Sequence, residues 1–171
     1  FPFYVEGDTT FDRNFTEVSL FGLTLANTAS TDDLTWSSSD PVNLQVSAIR
    51  PKNSSKNVYF KLTSSVSPHP FSELTSSLFF DVYDNNQWNF SVRLKPSNFP
   101  VAGIVTGSSG FTYDLEFRGI NAVGDNIQNS FLLTSSVSLT TGRNFLKSAK
   151  RIYAGARRTN ITGTVQQKSD V

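Results

Sequence analysis

Asp114 and Glu116 are the carboxylates best spaced for acid–base work, two residues apart in the run Tyr113 to Arg118. Alternate residues of a strand stand ~7 Å apart on one face. That falls inside the roughly 5 to 9.5 Å that glycoside hydrolysis asks of its acid and its base or nucleophile. Arg118 continues the same face, however, so the row reads more simply as exposed ion pairs. His69 is the only histidine and sits between Pro68 and Pro70 with no carboxylate before Glu73, which describes a solvated loop better than a base or a metal ligand. Asp81, Asp84 and Asn85 gather hard oxygen donors at one turn, and Asp32 with Asp33 at another. Calcium takes six to eight such oxygens, and neither group has a calcium-loop spacing; capping of their own backbone is the plainer use.

Trp36 is the one aromatic residue in the Ser-, Thr- and Asp-rich stretch 27–40. It suits either a plug at the end of a core or a flat platform for a sugar ring. Arg157 and Arg158 lie in a turn beside Asn160. They are able to fork hydrogen bonds onto carboxylates or sulfates of an anionic glycan or onto an acidic partner surface; the plainer uses are a solvated turn or an intramolecular pairing with the acidic amino-terminal region. Asn14, Asn53, Asn89 and Asn160 each begin an Asn-x-Ser/Thr triplet, as expected by composition in a chain this rich in those residues, and no function attaches to them.

The elements that position these residues read as strands. Leu78 to Lys95 is the stretch around which the chain is organised: Trp88, Phe90, Val92 and Leu94 alternate with Asn89, Ser91, Arg93 and Lys95. Before them Leu78, Phe80 and Val82 form a second inward series, with Asp84, Asn85 and Asn86 at the reversal, so a hairpin is expected here. Period-two patterns recur at Glu17–Ala26, at Val42–Ala48, at Val58–Leu62, at Tyr113–Phe117, from Ser130 to Ser138, and at Ile152–Ala156. Gly119 to Asn129 reads as a long turn, Val101 to Val105 as a short edge strand or a packed loop, and Asn144 to Lys150 as about two turns of helix.

Composition agrees with an all-β class: fifteen Phe, five Tyr and two Trp with abundant Ser, Thr and Asn, and no long amphipathic helix. The 171 residues fit one domain. With no cysteine, stability rests on core packing, and thiolate metal sites are excluded. No apolar run approaches the ~20 residues that cross a bilayer as a helix. A net charge of +1 argues against general nucleic-acid or anionic-membrane affinity. Charge is segregated, though: residues 1–40 carry seven acidic groups against Arg13, and residues 143–171 seven basic groups against Asp170. The two ends either neutralise each other or leave a basic surface for a partner. Opening on Phe1 and stopping at Val171 without a turn signal, the chain reads as a segment of a longer polypeptide.

Trp88 after the polar turn, the strand that follows it, Ile152-Tyr153-Ala154-Gly155-Ala156 and then Asn160-Ile161-Thr162-Gly163 together resemble the laminin-G-like or concanavalin A-like jelly-roll family, over roughly residues 17–171. The run from Lys150 to Gly163 followed by Lys168 to Val171 is similar to versions of the domain in structural proteins of tailed, especially marine, bacteriophages. The resemblance implies a two-sheet antiparallel jelly-roll sandwich, with one further strand expected just beyond Val171. Family members mostly bind carbohydrate or protein, some through calcium, and a minority are glycosidases with several alternating acidic residues on one strand, where this chain has only Asp114 and Glu116.

The function this implies is a non-catalytic structural or adhesion module of a virion or extracellular surface. Its partners would be other surface proteins or further copies of itself in a homo-oligomer, with no membrane insertion. The alternative is a lectin-like module gripping an envelope glycan through Trp36, Tyr83 or Tyr153 with Arg157, Arg158 and Asn160. No cofactor is required, calcium at Asp81, Asp84 and Asn85 being the one candidate, and a glycoside hydrolase is the remote alternative.

Overall fold

The structure is a computed structural model, and it describes residues 17–25, 42–51, 57–64, 70–79, 82, 87–97, 112–147 and 150–154. These form β1 (Glu17–Leu25), β2 (Val42–Ile49), β3 (Tyr59–Thr63), β4 (Leu74–Thr75), β5 (Gln87–Pro96), β6 (Thr112–Val123), β7 (Asn126–Ser138), α1 (Leu139–Lys147) and β8 (Lys150–Ala154). Two antiparallel sheets result, one in the order β4-β3-β2-β1-β8 and the other β5-β6-β7. No helix among the described residues is long and apolar enough to cross a membrane.

The alternation in the sequence decides which side chains lie between the sheets. Val58, Phe60 and Leu62 of the first sheet and Tyr113, Leu115 and Phe117 of the second are buried, while their intervening neighbours Tyr59, Lys61 and Thr63 turn away. The sheets meet through aromatic rings. Phe60 lies 4.6 Å from Phe90 and 4.8 Å from Trp88, centroid to centroid, and Phe131 packs against both Phe60 and Phe117. These contacts, tilted or edge-on except for the stacked pair Phe60 and Phe131, are geometries in which aromatic quadrupoles attract, beyond the area they remove from water. Strand β2 departs from simple alternation: Gln45 and Ser47 are buried on the face opposite Val46, and Gln45 Nε2 donates to Ser47 Oγ at 3.2 Å. The first sheet is therefore covered on both faces at its centre.

The expected hairpin from Leu78 to Lys95 does not form. Phe79 and Val58 exchange backbone hydrogen bonds of 2.9 and 2.8 Å, and Ser76 N–H donates to Phe60 O, so this stretch extends the first sheet alongside β3. Strand β5 instead pairs with β6 in the second sheet, from Gln87 opposite Ala122 to Pro96 opposite Tyr113. The inward residue is consequently Phe79, and Leu78 is 50% exposed. Val82 is buried as expected, and the Phe80 side chain lies outside the described residues. The chain changes sheets between Phe79 and Gln87, which local turn chemistry does not encode.

The long turn expected at Gly119–Asn129 is a tight one. Strand β6 runs on to Val123, Gly124 and Asp125 reverse the chain, and Val123 pairs with Asn126. Gly124 adopts φ +59°, a region that a side chain disfavours, and glycine at the first central position suits a two-residue hairpin. Gly119 serves a different purpose. It faces Phe131 across the ladder, and a Cβ there would come within 2.3 Å of the ring, so glycine lets the aromatic lie flat on the neighbouring strand.

The helix starts earlier than Asn144. Ser138, the last residue of β7, caps it by accepting a 3.2 Å hydrogen bond from Thr141 N–H. Gly142 brings α1 against the Tyr113 ring, where a Cβ would lie 2.3 Å away.

Candidate functional site

The outward face of the second sheet carries the charged residues that the sequence singled out. Register places Arg93 opposite Glu116 and Lys95 opposite Asp114. Arg93 Nε donates to Glu116 Oε2 at 2.9 Å, its Nη2 reaches the same oxygen, and Lys95 Nζ stands 2.7 Å from Oε1. Both carboxylate oxygens are thus engaged, and Glu116 is only 8% exposed: the expected row of exposed ion pairs is a cross-strand clamp with a buried acid at its centre. Hydrogen bonds from Lys95 and then Arg93 hold the Glu116 pKa below the ordinary glutamate value of 4.5, outweighing the effect of burial. Such a group stays ionised at neutral pH and has no proton to deliver to a leaving group.

Asp114 is tied differently. Ser97 Oγ donates to Asp114 Oδ1 at 2.8 Å and stands 2.8 Å from Thr112 Oγ1, while Ser97 N–H donates to Thr112 O. The hydroxyls fasten the end of β5 to the start of β6. The carboxylate pair therefore stitches the ladder together.

Two concavities stand out among the described residues. One, of about 420 Å³, lies where β7 approaches the end of β3, lined by Thr63, Ser64, Phe71, Ser72, Glu73 and Ser136. The one ring among its described lining residues, Phe71, is buried. The other, of about 450 Å³, opens between the two sheets and is almost wholly apolar: Phe21 and Leu23 of β1, Leu44 of β2 and Ile152 of β8 form one wall, and Phe90, Val92 and Leu94 of β5 the other. Phe145 and Leu146 of α1 border it. Among the described residues no charged side chain lines it, and this lining suits apolar side chains.

Of the residues expected to bind a ligand, only Tyr153 falls among those described, its backbone pairing with Gly22 at the edge of the first sheet. Trp36, Tyr83, Arg157, Arg158 and Asn160 lie outside the described residues, as do Asp81, Asp84 and Asn85 of the calcium candidate. Among the described residues no group of three or more His, Cys, Asp or Glu gathers that could hold a metal. The inter-sheet cavity was missed in the sequence, since it depends on how far one sheet extends past the other; the nearest signal was the apolar pair Ile152 and Ala154 late in the chain. No protein-family model, curated protein or solved structure matches the chain.

Proposed function

We propose that this chain is a non-catalytic structural and adhesion module of jelly-roll type, part of a virion or similar surface assembly and held there by contacts with other protein chains. The observation that carries the reading is the division of apolar side chains between core and surface. Among the described residues the exposed large apolar side chains are Leu78, Val123, Ile127, Leu132, Leu146 and Ile152, all aliphatic, while the rings of Phe60, Phe79, Trp88, Phe90, Phe117 and Phe131 contact one another between the sheets. A sugar site needs an accessible flat ring flanked by polar groups. Exposed aliphatic side chains, of which Leu146 and Ile152 border one apolar cavity, suit contact with other proteins. The engagement of Glu116 by Arg93 and Lys95, and of Asp114 by Ser97, supports a non-catalytic role for the carboxylates best spaced for hydrolysis. The virion assignment rests on the sequence resemblance of the segment from Lys150 to Gly163.

A glycan-array screen of the 171-residue chain, with and without calcium, tests the reading. Absence of saturable binding by the folded chain is the expected result. Saturable binding, abolished in a Trp36→Ala variant, would replace it with a lectin-like function.

A further inference from the structure

The two sheets differ in width. Among the described residues the first has five strands and the second three, and at ~4.8 Å per strand the difference leaves roughly 10 Å of the first sheet with no described strand opposite it. The uncovered part can be located. Leu44, Leu23 and Ile152 are successive partners across β2, β1 and β8 and therefore share one face, the face that Leu44 buries against the core. Along that row Leu44 is buried, whereas Ile152 is 78% exposed. Coverage runs out toward β8.

On the opposing sheet β5 is an edge strand: among the described residues it pairs with β6 alone. The apolar cavity lies between that edge and the wall of β1 and β8. An extended segment set against β5 would therefore meet two surfaces at once, a row of backbone donors and acceptors along its side and an apolar groove beneath it.

The groove also states what the segment must carry. Every second residue would point toward Leu23 and Ile152 and must be apolar. The residues between would stand beside the outward face of β5 and β6, where Arg93, Lys95 and Arg118 face Asp114 and Glu116, a surplus of one positive charge. Arg93 remains 65% exposed despite its bond to Glu116, so a carboxylate on the added strand would complement it.

We propose that this groove receives an extended strand from a neighbouring chain, apolar at alternate residues and acidic at one of those between, which pairs with β5 and completes the second sheet. The inference rests on the protein-contact reading above and names its surface.

The test uses the isotopically labelled 171-residue chain and a short synthetic peptide alternating valine with threonine and glutamate, alongside peptides of scrambled order and with lysine in place of glutamate. The expected result is saturable change at the amides of β5, weaker with the lysine peptide and absent with the scrambled one. An Ile152→Glu substitution should weaken binding roughly tenfold or more, because it sets a charge in the apolar wall. Since Ile152 is exposed, the variant should keep its circular dichroism and melting temperature. A folded chain with no response at β5 overturns the proposal. So does slow exchange at every β5 amide in the isolated monomer, which would mean that the chain's own residues fill the groove. A concentration-dependent dimer in sedimentation that protects β5 would overturn it in favour of a second copy. Silence toward the peptide without glycan binding removes only the groove, whereas glycan binding removes the protein-contact reading itself.

Discussion

Phe131 lays its ring on Gly119, its partner across the ladder between β6 and β7, so closely that a Cβ at position 119 would fall 2.3 Å from Cε1 and 2.6 Å from Cζ. The ring also meets Phe117 at 5.0 Å and Phe60 at 5.9 Å, so it cannot retreat without disturbing the contact between the sheets. Gly119→Ala should therefore lower stability by about 1–3 kcal/mol, the usual cost of overpacking. Phe131→Leu should cost stability by itself yet make Gly119→Ala less damaging. Urea unfolding of the four proteins of that cycle measures the coupling.

Glu116 links pH to stability. Its folded pKa lies below 4.5 because Lys95 and Arg93 hydrogen-bond the charged form. As pH falls below that value the unfolded chain takes up the proton first, so the stabilisation is complete above it and is lost as pH drops through the folded pKa. Glu116→Gln should flatten this part of the profile and cost about 1 kcal/mol near pH 7, allowing for the exposure of Arg93. Unfolding midpoints at about pH 7 and about pH 3, compared between the two proteins, check the sign.

At the tip of the β6–β7 hairpin Gly124 has φ +59° and nothing within 4 Å of the place a Cβ would occupy. Conformation alone is penalised there. Gly124→Ala should cost about 1–2 kcal/mol and Gly124→Asn less, since asparagine tolerates the left-handed region. Thermal melts separate the two.

Core and open edge should respond differently to loss of apolar atoms. Phe60 is fully buried among Trp88, Phe90 and Phe131, and Phe60→Ala should cost about 3–5 kcal/mol. Ile152 shares the inward face of the first sheet but is exposed, and Ile152→Thr should change stability by no more than about 0.5 kcal/mol. A large loss at Ile152, measured by urea unfolding, would show that the face is covered.

The inward faces were legible because a period of two survives any tertiary arrangement: Val58, Phe60 and Leu62, Trp88 to Leu94, and Tyr113 to Phe117 lie where alternation puts them. Pairing was not. Asp84 to Asn86 have the composition of a hairpin turn, yet Phe79 finds Val58 and Gln87 finds Ala122, because strand partners are chosen by burial across the whole chain. Gly119 opens the stretch that reads as a long turn, yet Phe131 lies upon it within the ladder, and the true reversal at Gly124 falls inside that stretch. Likewise, Glu116 could be recognised as charged, but the register that buries it between Arg93 and Lys95 belongs to the pairing of β5 with β6. Loop residues chosen for their chemistry, Trp36 and Arg157 among them, fall outside the described strands, and the cavity between the sheets has no local motif because it follows from a difference in strand number.

The open edge of the second sheet is tested most directly by amide hydrogen exchange, residue by residue, in the isolated chain. In an antiparallel edge strand alternate N–H groups bond the neighbour and the rest face outward. Fast exchange at every second amide from Trp88 to Lys95, against uniformly slow exchange in the central strand from Tyr113 to Ala122, is the expected result. Uniform protection along β5 would contradict it, and with it the claim that this side of the sandwich is left for a partner chain.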